Sequence, residues 1–542
     1  MKGVLKFYFA MAATTIVGCA STNQPEVPAS VRMNSEGAVV AKLVSNASNV
    51  GDGVKRFRSI EVVNTQTKEN YTLYAEFNRY QYNSHLSIGG WLPAGNYNIT
   101  GLHAYGVPPL SATFSTKKLG YQFSVKAGQV NDLNTLIFQP LGDGKASLAF
   151  FPSTPDKFLL KGIMGDAASQ LAAKPIEELT ISNNFPLKSA KYSTQANGAG
   201  LIVNAFIAAG SQSLHGSHKS QWEDIKDSAQ LLQTIKQSTT TLNDRLTLDD
   251  GRTVYASTLG QLLVRTKDGV WSNIDTGIDV GLISLLKAGN QIIASTDDAR
   301  FLIGDAELKH WKLLDVELKE SIAARMFSIK NNKILLVLKT PLGLEVRVMD
   351  ENFAKISEPI QSKTNEELGV ASWDYLSDKG ELLAVQDGRN IKILTRYDNI
   401  SNFNIDTEQW SEIKLEQGTA FLEKDPKSNV LTMPIFGAFG SSTITTDGGK
   451  TFTKIKHSML SRMRFVTPQL GFALIFDMGM SSSSNHFAMT QDGGKNWVHG
   501  KELEDACTDW DVIDERMLCI TRSGIIVSTT NAKDLTIERL IR

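Results

Sequence analysis

The chain has almost no net charge and very few cysteines. Its 56 lysine and arginine residues are balanced by 57 aspartate and glutamate residues, and its 542 residues include three cysteines. No run of like charge is long enough to form the concentrated basic face that binds nucleic-acid phosphates. The apolar stretches near the N-terminus and at residues 198–213 are too short to span a bilayer. Neither nucleic-acid binding nor a membrane-spanning helix is expected.

What remains is the composition of a folded, soluble protein. Hydrophobic residues make up 42% of the chain and charged residues 21%, which is typical of globular proteins and not of disordered ones. Because the chain is too long for one ordinary hydrophobic core, we expect two or more domains.

Residues 1–18 are interpreted as a targeting segment, with lysines at its start and the apolar stretch FYFAMAATTIV behind them. The segment runs into Ile16-Val17-Gly18-Cys19, which resembles the lipobox of bacterial lipoproteins. The resemblance implies cleavage before Cys19 and acylation of that residue by fatty acids such as palmitate. Ala20 follows where the family's inner-membrane retention signal has aspartate, which implies an outer-membrane location. The alternative is an ordinary secretory signal with a stray cysteine.

The two remaining cysteines, Cys507 and Cys519, flank the segment TDWDVIDERML. In an exported protein, an even number of remaining cysteines predicts a disulfide. Closing a loop of this size stabilises the fold by about 3 kcal/mol. Two buried free thiols are the alternative. No histidine lies close by, so a metal site is not expected here.

Residues 19–37 are polar and without periodicity, which predicts a tether. Residues 38–150 contain short β-rich runs separated by Gly, Pro and Asn. Within them, WLPAGNYNI (Trp91–Ile99) and FSVKAGQVNDLNTLIF (Phe123–Phe138) resemble the closing strands of transthyretin-like or prealbumin-like domains. That resemblance implies a β-sandwich with a structural or adhesive role.

Residues 151–243 are predicted to be a partly helical connector. EDIKDSAQLLQTIKQ (223–237) has apolar residues at helical spacing, and the apolar residues 198–213 are interpreted as a buried helix. His215 and His218 share a spacing that a helix brings onto one face, but no third ligand accompanies them, so we expect no metal site.

A short sequence motif, which we call the box, occurs twice near the C-terminus: TTDGGKTF (445–452) and TQDGGKNW (490–497). Asp447 and Asp492 are 45 positions apart, the length of one four-stranded propeller blade. A decayed copy, TKDGVW, places Asp268 179 positions before Asp447, close to four such lengths, and STTNAKDLT (528–536) follows one blade after the second box. This period predicts a β-propeller over residues 244–542.

The two boxes resemble the Asp-box (BNR repeat) of sialidase-like propellers. The matching residues are Thr445, Asp447, Gly449, Thr451 and Phe452 in the first box and Thr490, Asp492, Gly494 and Trp497 in the second, where Asn496 replaces the usual threonine. From their chemistry we expect the aspartates to accept backbone hydrogen bonds, the glycines to take positive φ, and both aromatic rings to be buried. In that family the box is a structural hairpin remote from the ligand site.

Segmentation around the boxes gives about seven units, each with a short first strand, a polar turn and an apolar second strand. In the fourth unit, ASWDYLSDKGELLAVQ, the run ELLAVQ is taken as the second strand. The fold class is therefore mainly β: a β-sandwich, a short helical connector and a propeller of about seven blades.

The resemblance raises the hypothesis of a sialidase-type glycoside hydrolase, which in that family uses an arginine cluster and a tyrosine nucleophile. The family's Phe/Tyr-Arg-Ile-Pro signature is not found in this chain, and Tyr255, Tyr375 and Tyr397 have no obvious acidic context. Other catalytic motifs are not found either.

We therefore favour a non-catalytic, lipid-anchored binding or scaffold protein of the bacterial cell envelope, without cofactor or metal. Its propeller would bind a protein or a glycan, and the sandwich would act as a stalk or second contact surface. Arg462 and Arg464 in SRMRF are the first candidates for a partner-binding rim, and a salt-bridged surface is the alternative. Sialidase-type hydrolysis of surface glycans stays the alternative function.

Overall fold

The computed structural model describes a large part of the chain after residue 28. The described residues are 29–45, 57–75, 86–105, 111–142, 145–151, 168–171, 173–182, 189–195, 225, 227–237, 241–296, 298–316, 318, 321, 323–329, 333–340, 342–369, 382–396, 398–415, 419, 422–433, 441–456, 460–478, 483–503, 507–521 and 525–539. The predicted signal segment with Cys19, the apolar stretch 198–213, and His215 and His218 lie outside them.

Eleven strands of the N-terminal half form one sheet. They are β1 (Glu36–Ser45), β2 (Phe57–Asn64), β3 (Asn70–Ala75), β4 (Leu86–Pro93), β5 (Gly95–Tyr105), β6 (Ser111–Ser115), β7 (Gln122–Val125), β8 (Val130–Gly142), β9 (Lys145–Phe151), β10 (Ile176–Glu178) and β11 (Ser189–Gln195). The described helices are α1 (Ala29–Arg32), α2 (Ala168–Leu171) and α3 (Ser228–Gln237). Helix α1 lies in the predicted tether, and α3 confirms the predicted connector helix.

The sheet closes on itself. Strand β1 pairs antiparallel with β4 and parallel with β8, so nine strands form an unbroken ring of pairings in the order β1-β4-β3-β2-β5-β6-β11-β9-β8, with β7 and β10 beside it. The pairings join all strands into one sheet, so two separate layers are not defined, and the transthyretin-like likeness stays a prediction. The sheet also continues past the predicted boundary at residue 150, because β10 and β11 belong to it.

The alternation of strand residues assigns the two faces of this sheet. Val39 and Ala41 of β1 lie in the main core, together with Ile60 and Leu73. The residue between them, Val40, points the other way and packs in a separate cluster with α2. Since neighbouring strand residues point to opposite faces, the interior of the closed sheet takes one set and the short helices cover part of the other.

Helix α3 joins the sheet to the propeller. Its Leu231 and Ile235 are buried against Ile137 and Phe151 of the sheet, and Leu259 of the propeller completes the same cluster. The apolar spacing that predicts this helix therefore buries a stripe shared by both halves of the protein.

A charged contact fixes the same joint. Nζ of Lys236, on α3, lies 3.1 Å from Asp275 Oδ2 and 2.9 Å from Asp279 Oδ1, and donates to the Ile278 carbonyl at 3.2 Å. These partners belong to the end of the first propeller blade and the connection that follows it.

The buried carboxyl group of Asp132, in the N-terminal sheet, leads to a prediction of how stability depends on pH. Burial raises the pKa of Asp132 to about 6, although the Asn134 N–H and Lys42 favour the charged form. In the unfolded chain an aspartate titrates near 3.9. The folded state therefore binds the extra proton between these two values, so stability falls as pH rises through this window and the penalty is complete above it.

Replacement of Asp132 by asparagine should remove that penalty, because the amide oxygen can still accept the Asn134 N–H bond, 2.8 Å long in the native chain. We expect Asp132→Asn to stabilise the sheet at pH 7.5 by up to about 3 kcal/mol and to flatten its stability between pH 4 and 6. Urea unfolding across this range measures both. Parallel pH profiles for the two proteins would contradict the assignment.

Seven four-stranded antiparallel sheets follow, and each is built from four consecutive strands. Blade 1 comprises β12 (Asp244–Thr247), β13 (Thr253–Ala256), β14 (Gln261–Arg265) and β15 (Trp271–Asp275). Blade 2 comprises β16 (Leu282–Ala288), β17 (Gln291–Thr296), β18 (Phe301–Asp305) and β19 (Trp311–Leu313). Blade 3 comprises β20 (Ala323–Ser328), β21 (Ile334–Thr340), β22 (Gly343–Met349) and β23 (Gln361–Thr364). Blade 4 comprises β24 (Ala384–Asp387), β25 (Asn390–Arg396), β26 (Asn399–Asn404) and β27 (Gln409–Lys414).

The last three blades carry the two boxes and the cysteine pair. Blade 5 comprises β28 (Glu423–Lys424), β29 (Leu431–Met433), β30 (Ser441–Thr445) and β31 (Thr453–Lys456). Blade 6 comprises β32 (Leu460–Phe465), β33 (Gly471–Met478), β34 (Ser483–Thr490) and β35 (Val498–Leu503). Blade 7 comprises β36 (Cys507–Ile513), β37 (Arg516–Thr521), β38 (Ile526–Thr529) and β39 (Thr536–Arg539). The predicted seven-bladed propeller is confirmed.

One blade differs from the sequence segmentation. ELLAVQ (381–386), taken as a second strand, overlaps β24, which is the first strand of blade 4, and β25 is the buried second strand of that blade. The assignment was wrong because the polar sequence before ELLAVQ resembles the sequences of the turns between first and second strands in the other blades.

Strand direction gives the propeller two distinct faces. Because neighbouring strands are antiparallel, the turns between first and second strands and between third and fourth strands lie on one face. The second-to-third turns and the connections between blades lie on the other. Leu259 and the Lys236 partners belong to the latter set, so the N-terminal sheet is joined to the connection face. The boxes are on the opposite face.

Candidate functional site

Charged side chains on the first strands of blades 5, 6, 7 and 1, or directly after them, meet at the propeller axis. This group, which we call the axial cluster, consists of Arg245, Glu423, Asp425, Arg462, Arg464, Asp509 and Asp511. First strands line the axis of a propeller, and residues two apart on a strand point to the same side. The spacings Glu-x-Asp, Arg-x-Arg and Asp-x-Asp therefore bring opposite charges together there.

The carboxylate of Asp511 accepts hydrogen bonds from three side chains at once. Its Oδ2 accepts hydrogen bonds from Nη1 of Arg245 and from the Tyr255 hydroxyl, both at 2.9 Å. Its Oδ1 accepts a bond from Nη1 of Arg464. Nη2 of Arg245 continues to Asp425 Oδ2 at 3.0 Å, so one guanidinium of blade 1 links blades 5 and 7.

The two arginines predicted as a partner-binding rim lie in this cluster. Nε of Arg462 donates to Glu423 Oε1 at 2.5 Å, and its Nη1 lies 3.7 Å from Asp509 Oδ1. Nη2 of Arg464 lies 3.5 Å from Glu423 Oε2. Both guanidinium carbons are within 6 Å of the Trp510 ring centroid, at 5.7 and 5.6 Å. The structure thus surrounds both arginines with carboxylates and an aromatic face.

Mutual pairing shifts the pKa values of Arg245 and Asp511 in favour of their charged forms. Burial lowers the pKa of Arg245, but Asp511 and Asp425 outweigh it and raise that pKa above its usual range. Burial raises the pKa of Asp511, but Arg245 and Arg464 outweigh it and lower that pKa. Burial first and then the Asp511 carboxylate raise the pKa of Tyr255 well above 10, so its hydroxyl stays protonated at neutral pH.

A further arginine, Arg325, links the first strands of other blades. Nε of Arg325, in blade 3, donates to the Leu382 carbonyl at 3.1 Å, and its Nη1 donates to the Ile283 carbonyl. The same guanidinium lies 3.8 Å from Asp244 Oδ2. Its partners stand at the first strands of blades 4, 2 and 1, so this side chain bridges much of the axis opposite the axial cluster.

The arginines of the axial cluster pair with carboxylates of the same chain rather than with a ligand. A sialidase-type site needs arginines that bind a sugar carboxylate, whereas Arg245, Arg462 and Arg464 bind carboxylates of the chain itself. Charge-assisted bonds of this kind, in a partly buried site, hold inner strands together.

The tyrosines fit this interpretation where they are described. Tyr255 is 1% exposed and donates its hydroxyl proton to Asp511, so it has no surface from which to reach a sugar. Tyr375 and Tyr397, the other propeller tyrosines, lie outside the described residues.

The ring closes between blade 7 and blade 1 through side chains. Glu538 of β39 accepts bonds from Nε and Nη2 of Arg265 at 2.8 and 2.9 Å and from Trp271 Nε1 at 2.8 Å. Nη1 of Arg539 donates to Asn273 Oδ1 at 2.8 Å. Because each described sheet consists of consecutive strands, this seam depends on side-chain contacts and not on a shared strand.

The predicted disulfide is confirmed. Cys507 of β36 and Cys519 of β37 are joined, so the bond links the first two strands of blade 7 beside the seam.

The first box is a hydrogen-bonded hairpin between the third and fourth strands of blade 5. Asp447 Oδ2 accepts the Thr451 hydroxyl at 2.6 Å, and Oδ1 accepts the N–H groups of Lys450 and Thr451 and the Thr445 hydroxyl, at 3.0, 2.9 and 2.8 Å. The Gly449 N–H donates to Thr445 Oγ1 at 2.9 Å. These bonds, led by those from Thr451, hold the pKa of Asp447 well below its usual range.

The second box occupies the same place in blade 6. Its hydrogen bonds show how Asn496 takes the place of the usual threonine. Asp492 Oδ1 accepts the Asn496 N–H at 2.9 Å, and Oδ2 accepts Asn496 Nδ2 at 2.7 Å, in the position of the Thr451 hydroxyl. Thr490 donates to Asp492 Oδ1 at 2.8 Å. The bonds from Asn496 lower the pKa of Asp492 to about 2.

The decayed copies stand at the equivalent hairpins. In blade 1 the Val270 N–H donates to Thr266 Oγ1 at 3.1 Å, which matches the bond from Gly449 to Thr445. In blade 7, Asn531 takes the aspartate position, and its Oδ1 accepts two backbone N–H groups at 2.9 Å each. The period in the sequence therefore marks one hairpin in each of four consecutive blades, from 5 through 7 to 1.

One box aromatic is not where the sequence predicts. Phe452 is 37% exposed, so the expectation that its ring is buried is wrong. Trp497 is half-buried and packs its ring edge-on to Phe465, with centroids 6.3 Å apart. The hairpin can take either ring, because the hydrogen bonds of the aspartate hold its shape.

The second glycine of each box approaches the fourth strand of the preceding blade. Gly449 and Gly494 have φ of 93° and 87°, as expected. In addition, a Cβ on Gly449 would lie 3.0 Å from Cδ1 of Ile413, and one on Gly494 would lie 2.7 Å from Cδ1 of Ile455. The glycines therefore allow two blades to pack closely, a role that the turn geometry alone does not predict.

A substitution pair separates this packing from the cost of positive φ. Gly494→Ala should destabilise the protein by about 1–2 kcal/mol more than Gly277→Ala, because a side chain at Gly494 overlaps Ile455. Gly277 has nearly the same φ, 85°, but no atom lies within 4 Å of its Cβ position. Urea unfolding of the two variants measures the difference; equal losses would show that only φ matters.

Among the residues that the structure describes, no group of three or more His, Cys, Asp or Glu side chains is arranged to hold a metal ion. In the same part of the chain no helix has both the length and the apolar character needed to cross a bilayer.

No protein-family model and no curated protein matches this chain. Several solved structures resemble it at low identity. YCF48 from Cyanidioschyzon merolae is 12% identical over 54% of this chain and 95% of its own, with a TM-score of 0.39. BamB from Moraxella catarrhalis is 11% identical over 53% of this chain and 82% of its own, with a TM-score of 0.33.

A glycan-active enzyme is similar to the same extent. The GH74 xyloglucanase from Xanthomonas campestris is 10% identical over 56% of this chain and 55% of its own, with a TM-score of 0.42. Another structure of YCF48 holds a D1 peptide. Such similarity concerns the fold alone, and both binding proteins and enzymes share it.

Proposed function

We propose that this chain is a lipid-anchored, non-catalytic binding or scaffold protein of the bacterial cell envelope, whose propeller binds a protein or a glycan. The observation that carries the proposal is the axial cluster. Its arginines pair with carboxylates of the chain itself, so the centre of the ring serves to hold blades together. A propeller of this kind offers its faces and rim as a rigid surface.

The face that carries the boxes is the one we propose for the partner. The N-terminal sheet is joined to the opposite face through Leu259 and the partners of Lys236. The box hairpins are short and held by internal hydrogen bonds, and a surface ordered before binding loses little conformational entropy when a partner docks.

Crosslinking in intact cells, followed by mass spectrometry, tests the scaffold role. We expect crosslinks from one envelope component to map to propeller lysines on the box-bearing face, such as Lys450 and Lys495, both of which are exposed. Purified protein should not hydrolyse a fluorogenic sialoside. Turnover that is lost in Arg464→Ala, while that variant remains folded, would overturn the proposal in favour of a glycoside hydrolase.

The lipid anchor is tested separately. Cells grown with an alkyne analogue of palmitate should label the full chain, and Cys19→Ala should abolish the label and release the protein from the membrane fraction. Cys507→Ser is the matched control, because it changes a cysteine of the propeller and should leave the label unchanged. Labelling that persists in Cys19→Ala would contradict the anchor without touching the scaffold role.

A further inference from the structure

Two histidines meet on the outer hairpin of blade 6. His486 lies on β34 and His499 on β35, and His499 stands opposite Ala488, two residues from His486. Residues two apart on a strand share a face, so both imidazoles project from the same side of the sheet. His499 is exposed and His486 is half-buried.

The ring nitrogens are spaced as two ligands of one metal ion. Nε2 of His486 lies 3.0 Å from Nδ1 of His499, with ring centroids 5.3 Å apart and planes tilted by 50°. Imidazole nitrogens bind zinc at about 2.0–2.1 Å, so two of them at neighbouring positions of one ion are about 3 Å apart. A metal ion in place of the shared proton would use a lone pair of each ring.

A carboxylate stands beside the pair. Glu502 is directly opposite His486 in the strand ladder, so it shares the same face, and it is exposed. Its carboxylate is not grouped with the two imidazoles as a third ligand in the described structure. It therefore adds negative charge near the pair, and solvent would supply the remaining ligands.

We propose that His486 and His499 form a surface site for a divalent cation of the late first-row transition metals, the class that includes Cu²⁺, Ni²⁺ and Zn²⁺. Imidazole ligands favour these ions over Mg²⁺ and Ca²⁺, which prefer oxygen. The bound ion joins β34 to β35, the two strands that flank the Asp492 hairpin. It thereby clamps the outer edge of blade 6, next to the face proposed for the partner, although the site itself does not depend on that proposal.

The site is tested by titration of the untagged mature chain with CuSO₄ and NiCl₂, followed by calorimetry and, for copper, electron paramagnetic resonance. We expect one site with two nitrogen ligands, and a loss of affinity of about tenfold or more in His499→Ala and in His486→Ala. Binding should also weaken at pH 5, because protons compete for the imidazoles. Metal binding should raise the unfolding temperature of the native chain but not of either variant.

His310→Ala is the matched control. His310 is another exposed imidazole, 2.7 Å from Asp305 Oδ2 in blade 2, and its loss should leave the affinity of the blade 6 site unchanged. Glu502→Gln should weaken binding by less than either histidine variant does. Affinities within twofold of the native value in both His499→Ala and His486→Ala would overturn the proposal, as would an equal loss in His310→Ala.

Discussion

Asp511→Ala should destabilise the protein by about 3–5 kcal/mol, because it removes a buried carboxylate that two largely buried guanidinium groups share. The carboxylate binds Arg245, Arg464 and the Tyr255 hydroxyl, and its side chain is 7% exposed. Removal of one member of a buried ion pair costs far more than removal of an exposed one. Urea unfolding at pH 7.5 measures the loss.

The control for this variant uses an exposed ion pair between the first-to-second turns of blades 5 and 7. Asp514 lies 3.2 Å from Lys427, and both side chains are more than 70% exposed, at 73% and 74%. Asp514→Ala should change stability by less than about 1 kcal/mol. If both variants lose the same amount, the axial cluster has no special part in holding the ring.

Glu538→Ala should open the seam between blades 7 and 1, with an expected loss of about 3–5 kcal/mol. The carboxylate, 6% exposed, holds both Arg265 and Trp271. Burial raises the pKa of Glu538, but the bonds from Arg265 and Trp271 outweigh it and lower that pKa. The stabilisation is therefore present at neutral pH and is lost as the pH falls through the lowered folded-state value.

Amide hydrogen exchange locates the effect of this substitution. In Glu538→Ala we expect faster exchange in blade 7 and in β14 and β15 of blade 1, with blades 3 and 4 little changed. Glu307→Ala, which breaks an exposed pair with Lys309 in blade 2, should alter exchange only near its own turn. Uniform acceleration across all seven blades would show that the seam is not a local weak point.

The sequence predicts the propeller because one structural unit repeats at a fixed interval. Asp447 and Asp492 must accept several backbone bonds in a tight hairpin, and that requirement leaves a readable pattern of Thr, Asp and Gly. The cysteine pair and the spacing of α3 are likewise local signals, so each could be found within about fifteen residues.

The axial cluster is not local in this sense. Glu423, Arg462 and Asp509 come from three blades, and their pairing follows only once the ring brings the first strands together. A signal was nevertheless present, because Glu-x-Asp, Arg-x-Arg and Asp-x-Asp occupy the first strands of three consecutive units. Taken alone, Arg462 and Arg464 predict a basic rim, because the carboxylates that pair with them come from other blades.

The closed N-terminal sheet could not be predicted for a related reason. Its closure depends on the parallel pairing of β1 with β8 and on β11, which lies between β6 and β9. Alternating residues predict strands but not their neighbours, and parallel pairing across about ninety residues leaves no turn signal. The same limit explains the predicted boundary at residue 150.

A double-mutant cycle between Arg245 and Asp425 tests most directly whether the ring is locked at its axis. These side chains join blade 1 to blade 5, with Nη2 3.0 Å from Oδ2. Unfolding free energies of the native chain, both single alanine variants and the double variant should give a coupling of about 1–3 kcal/mol. A coupling within error of zero would mean that this pair does not hold blades 1 and 5 together, which would contradict a lock at the axis.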